Sequence, residues 1–105
     1  MDREAALENA VAYAEEVRKH FSPVSIIMYG SFANGTATTE SDIDIAIVFD
    51  DYSGDWLKDS AFLWGLTINI STRIEPILLD RTKDLSGFVG NIYDTGEILF
   101  DVNSC

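Results

Sequence analysis

Ten residues separate Gly30-Ser31 from Asp42-Ile43-Asp44, and this spacing constrains the chain more than any other feature. An apolar stretch, Ser25-Ile26-Ile27-Met28-Tyr29, leads into the Gly-Ser pair, and Ile45-Ala46-Ile47-Val48-Phe49 follows the acids. The segment reads as strand, Gly-Ser turn, short polar connection, strand. Side chains alternate along a strand, so Asp42 and Asp44 point to one side. Ile43, Ile45 and Ile47 take the other side, which must be buried. Two carboxylates this close repel, and both stay ionised only with cations between them. Oxygen ligands of that kind suit a hard divalent cation, Mg²⁺ above all. A Gly-Ser turn entering a helix offers N–H groups and a hydroxyl at a positive helix end, which suits phosphate. Phosphate donors facing an Asp-x-Asp cation holder describe metal-assisted phosphoryl or nucleotidyl transfer.

The run from Gly30 to Val48, with Gly30-Ser31 and Asp42-Ile43-Asp44 inside it, resembles the signature of the nucleotidyltransferase superfamily related to DNA polymerase beta. Within that superfamily it is similar to the small prokaryotic minimal nucleotidyltransferases, many of them antitoxins paired with HEPN-domain toxins. The resemblance implies an α/β (α+β) fold, a small mixed sheet flanked by helices. In it the first two strands are antiparallel, and a third runs parallel beside the second and carries a third carboxylate. Glu75 is the match for that carboxylate, with Glu in place of the more frequent Asp. Asn34 is a departure, because many relatives carry Arg there.

The activity implied is Mg²⁺-dependent transfer of a nucleoside monophosphate, AMP from ATP, onto a hydroxyl. A tyrosine of a cognate HEPN toxin is the implied acceptor, in the manner of a type VII antitoxin. Asp42 and Asp44 would bridge two Mg²⁺ ions, while Glu75 would hold the second ion and accept the hydroxyl proton. Gly30 and Ser31 would grip the β- and γ-phosphates. Read without the resemblance, Ser31 could equally cap a helix, Asp44 could be a turn acid, and Glu75 an exposed acid on an edge strand. The alternative function is an antitoxin that neutralises its partner by binding alone.

Length and charge narrow the setting. One hundred and five residues suffice for a single domain, 1–105, with one core. A net charge of −11 argues against direct nucleic-acid binding, which needs a basic face. Between Glu40 and Asp59 seven acids (Glu40, Asp42, Asp44, Asp50, Asp51, Asp55, Asp59) face a lone Lys58. Such a field suits divalent cations or a basic protein partner. No apolar run reaches the ~18 residues of a membrane span, and the start lacks the pattern of a signal peptide. The lone Cys105 excludes an internal disulfide, so a cytoplasmic protein is expected.

Periodicity supplies the remaining elements. Leu7, Ala10, Val11, Ala14, Val17 and Phe21 predict a helix over 2–21, capped by Asp2, with His20 as a helix-end residue rather than a ligand. Strands are expected over 24–29, 43–49, 74–79 and 97–100, the third at a sheet edge because Pro76 lacks an N–H. A turn or two of helix should follow Ser31 and stop at Gly35, and 36–41 forms the rim of the site. The stretch 55–70 has helical length, with Trp56, Leu57, Ala61, Phe62, Trp64 and Leu66 too apolar for a one-sided stripe, and is expected to pack on the sheet. The alternative is that its tryptophans form an exposed patch. A last helix is expected over 84–95, ended by Gly96.

Overall fold

The computed structural model describes residues 2–38, 41–84 and 86–103. Glu40 of the acidic cluster, Thr39 of the predicted rim, Leu85 of the last predicted helix and Cys105 lie outside the described residues. The elements run α1 (Arg3–His20), β1 (Ser25–Tyr29), α2 (Ser31–Asn34), β2 (Ile43–Phe49), α3 (Trp56–Leu66), β3 (Ile74–Asp80), α4 (Phe88–Thr95) and β4 (Glu97–Asp101). A 3₁₀ turn, Thr67–Asn69, extends α3, and another, Arg81–Lys83, follows β3.

The four strands form one mixed sheet in the order β3-β2-β1-β4. β1 pairs antiparallel with β2 and β4, and β2 pairs parallel with β3. This is the expected strand arrangement. Pro76 sits on the edge strand β3, where its missing N–H costs no ladder bond. β1 and β2 are the central strands and are buried on both faces. One face carries Ile26, Met28, Ile43, Ile45, Ile47, Ile74 and Leu78, packed under α1 and Leu63 of α3. The other carries Ile27, Ala46 and Val48 beneath Val89 and Ile92 of α4. The Asp42-Ile43-Asp44 alternation therefore sets the register of both layers.

α1 begins where predicted: the Asp2 carboxylate accepts from the Ala5 N–H at 2.8 Å. Its buried stripe is rotated from expectation, however. Ala6, Ala10, Tyr13, Ala14 and Val17 face the sheet, whereas Val11 is 42% exposed. Small alanines let the helix approach closely, and the large Tyr13 fills the space toward α3. The Tyr13 hydroxyl donates to the Leu63 carbonyl at 2.7 Å in a buried contact. Tyr13→Phe removes that buried bond. It should cost about 1 kcal/mol, a fall of roughly 4–8 °C in a thermal melt. His20 is a helix-end residue as expected, 4.0 Å from Glu16 and edge-on to Phe62.

α3 departs from expectation. Asp55 caps it, and Leu63 is its one buried residue, with Leu66 and Thr67 packed behind. Trp56 reaches β3 through an N–H bond to the Leu78 carbonyl at 3.4 Å, and Phe62 rests on Phe21, yet both remain about half exposed. Leu57, Ala61, Trp64 and Ile68 recur at spacings of four, three and four, the seam of a helix that packs on another helix. That seam points to solvent: Leu57 is 74%, Trp64 48% and Ile68 73% exposed. The sheet has no room for it, because α1 already covers most of the same face.

α4 starts four residues later than expected. Asp84 does not open the helix; its carboxylate reaches forward and accepts from the Val89 and Gly90 N–H groups, each at 3.2 Å. No helix of the described residues is long and apolar enough to cross a membrane.

Candidate active site

The structure brings four of the five predicted residues to one edge of the sheet by backbone alone and seats the fifth, Ser31, next to them. Tyr29 at the end of β1 is the ladder partner of Asp44, and Asp44 is the ladder partner of Glu75. The three form a row across adjacent strands, on the sheet face that α4 partly covers. Asp42 precedes the row by two residues and shares its side of β2. Glu75 is exposed at the start of the edge strand β3, and the charges of Asp42 and Asp44 both act on it.

Gly30 turns the chain directly over this row. Its φ of 75° and ψ of −150° belong to glycine. A Cβ there would collide with Asp44 Oδ2 and come within 3.3 Å of Asp44 Cγ. The main chain and the carboxylate are thus packed against each other. Ser31 is the first residue of α2 rather than its cap, and no side-chain cap is present. Gly30 O accepts from the Ala33 and Asn34 N–H groups, each at 3.1 Å. The Ser31 and Phe32 N–H groups have no partner among the described residues. Gly35 ends α2 at φ 81°, and Asn34 accepts from both the N–H and the hydroxyl of Thr36.

Charge and burial work together at this edge. Burial, then the Asp42 charge, raises Asp44 above the usual carboxylate range, while its contact with Glu75 pulls it back. Glu75 is raised by desolvation and by both aspartates. The Tyr29 hydroxyl is raised by burial and then by Asp44 and Glu75. Among the described residues no three metal-binding side chains stand in a ready-made cage. The donor set nonetheless fits a hard divalent cation: carboxylates on one face, two of them held above their ordinary range by burial and then by their neighbours.

The raised values carry a pH prediction. Folding favours the protonated forms of Asp44 and Glu75, so their contribution to stability is complete below the unfolded carboxylate range, near pH 4. It is lost as pH rises through the raised folded values. In cation-free buffer, Glu75→Gln should melt higher than the parent at neutral pH, and the two should converge as pH falls. Thermal melts between pH 3.5 and 7.5 in EDTA check this; a Gln variant less stable at every pH would contradict it.

Sequence reading passed over two residues at this edge. Tyr29 reads as the last apolar position of a strand; only the register shows that it flanks Asp44. Arg73 donates to the Ser41 carbonyl at 3.4 Å, and its own carbonyl accepts from the Ile43 N–H at 2.8 Å. It ties the start of β3 to the start of β2. Its position two residues before Glu75 was the available signal.

The acidic cluster, by contrast, does not act as one field. Asp42 and Asp44 stand at one end of β2 and the other described acids at the far end, about 20 Å away at strand rise. There Asp50 pairs with Arg81 at 2.7 Å, Asp55 caps α3, and Asp59 takes the Tyr52 hydroxyl. Three shallow hollows elsewhere on the surface, including one lined by Arg18, Phe21 and Phe100, contain none of the carboxylates of the edge.

Comparison with known proteins agrees with this geometry. The nucleotidyltransferase domain family matches residues 12–99. A Methanocaldococcus jannaschii protein, provisionally named a protein adenylyltransferase, is 36% identical over 78 residues, covering 71% of this chain and 76% of that protein. A crystal structure of a provisionally assigned nucleotidyltransferase from Sulfolobus solfataricus superposes with a TM-score of 0.70 at 22% identity, over 97% of this chain and 86% of the other. That likeness carries the fold. With the family matched over most of its length, the chain belongs to the nucleotidyltransferase domains, as a minimal member.

Proposed function

We propose that this nucleotidyltransferase transfers AMP from ATP, with Mg²⁺, to a hydroxyl of a partner protein. The observation that carries the reading is the Asp44–Glu75 row with Asp42 beside it and Gly30 packed directly over Asp44. Such an edge presents carboxylates to a cation and main-chain donors to phosphate on the same side. The Methanocaldococcus relative, named for protein adenylylation, supports a protein acceptor and an adenylyl donor.

Asp42, Asp44 and Glu75 are the residues that would hold Mg²⁺. When bound, the ion supplies charge neutralisation for the triphosphate and a more acidic acceptor hydroxyl. Gly30, Ser31 and the free N–H groups at the start of α2 orient the β- and γ-phosphates. The acceptor oxygen bonds to the α-phosphorus as the bond from that phosphorus to pyrophosphate breaks. Glu75, whose affinity for protons is raised, takes the hydroxyl proton. Burial of Asp44 between its neighbouring strands keeps the arrangement fixed, and positioning of this kind supplies much of the barrier reduction in phosphoryl-type transfer.

The partner reading has its own observation. The exposed Leu57-Ala61-Trp64-Ile68 seam is larger than scattered surface apolar residues and suits a helical protein surface. A HEPN-domain toxin presenting a tyrosine is the partner we infer, which makes the chain its antitoxin. Incubation of the cognate toxin with this protein, ATP and Mg²⁺, followed by intact-mass measurement, tests the assignment. The expected result is one added AMP per modified hydroxyl. Toxin that is inhibited but never gains mass would leave only neutralisation by binding.

A further inference from the structure

We propose that Phe88 is the platform on which the base of the nucleoside triphosphate stacks, and that the site therefore prefers purine nucleotides. The inference rests on the transferase reading above and assigns its base-binding residue. α4 lies over the carboxylate-bearing face of the sheet and buries Val89 and Ile92 against it. Its first residue, Phe88, is left 40% exposed. The Phe88 ring stands edge-on to Tyr29, with centroids 6.0 Å apart and planes at 88°. Tyr29 is the ladder partner of Asp44. An exposed aromatic ring thus stands one side chain removed from the carboxylate row, on the order of 10 Å, or two strand spacings, from Asp44. That matches the reach of a nucleotide from its phosphates to its base.

The ring is also held in place. The Asp84 carboxylate ties down the next two N–H groups, Val89 and Gly90, and Tyr29 supports the ring from the side. Most other exposed large apolar side chains lie on α3 and its 3₁₀ extension rather than on α4. Stacking on an aromatic ring is tolerant of base identity but grows with ring overlap, which favours the two-ring purines.

Calorimetric titration with ATP, CTP and inorganic tripolyphosphate in Mg²⁺ separates the base from the phosphates. The wild-type chain should bind ATP more tightly than CTP, and CTP more tightly than tripolyphosphate. Phe88→Ala should weaken ATP by about 5- to 100-fold, the range of base–aromatic stacking, and leave tripolyphosphate alone. Phe88→Leu, which keeps the packing on Tyr29, should show most of the same loss, and Phe88→Trp should restore affinity. Wild-type ATP and tripolyphosphate affinities that are equal, or Phe88 variants that bind ATP like the parent, would overturn the platform and leave the transferase reading intact. Failure of every ligand to bind wild type would overturn both.

Discussion

Asp42→Asn/Asp44→Asn is expected to lower nucleotidyl transfer by about a thousandfold or more while leaving the fold in place. Loss of one well-placed electrostatic group typically costs 10²–10³ in rate, and this pair removes two carboxylates from the proposed cation site at once. Their removal should not unfold the chain. Burial and the neighbouring Asp42 raise Asp44, so its ionised form opposes folding. The double variant should therefore melt at or above the parent temperature in EDTA, and the rise that Mg²⁺ gives the parent should vanish. Labelled-AMP transfer and paired melts with and without Mg²⁺ measure both. A variant that retains transfer, or that loses it only because it unfolds, would remove these residues from the site.

The second strand and its acids were readable because two signals coincide there. An Asp-x-Asp pair followed by Ile45 and Ile47 fixes both the strand and its face, and β2 falls on the predicted residues. Glu75 was placed by the resemblance, which implies a third strand parallel to the second and carrying a carboxylate, and the register sets it directly opposite Asp44. Tyr29 escaped because its role depends on what lies beside it across the ladder, which no local pattern encodes. The expected start of the last helix at Asp84 was early for a related reason: its carboxylate bonds five and six residues ahead, which no local pattern shows. In α3, apolar content exceeded what any single buried face can hold, and composition could not say which residues would stay outside. The acidic run from 40 to 59 looked like one field in sequence because a strand was hidden inside it. Seven residues of β2 carry its two ends apart.

Gly30→Ala should damage both the fold and the chemistry, and Gly35→Ala separates the two. Both glycines have positive φ, 75° and 81°, so an alanine at either is strained. At Gly35 the cost ends there: the conformation is the left-handed helix cap, and a Cβ would meet nothing within 4 Å. About 1 kcal/mol of stability is expected to go, with transfer unchanged in protein that remains folded. At Gly30 the conformation lies in a region that only glycine occupies readily, a penalty of roughly 1–3 kcal/mol. The added methyl would also strike the Asp44 carboxylate, which has little freedom because its strand is paired on both sides. Either the turn must lift or the carboxylate must rotate away. A displacement of about 1 Å at a reacting centre can cost 10²-fold in rate. Gly30→Ala should therefore melt roughly 5–15 °C lower and lose about a hundredfold in transfer even at temperatures where it is fully folded. Rates for both variants, taken well below their melting points, decide the matter. Equal activity in the two would mean that the contact between Gly30 and Asp44 does not shape the site.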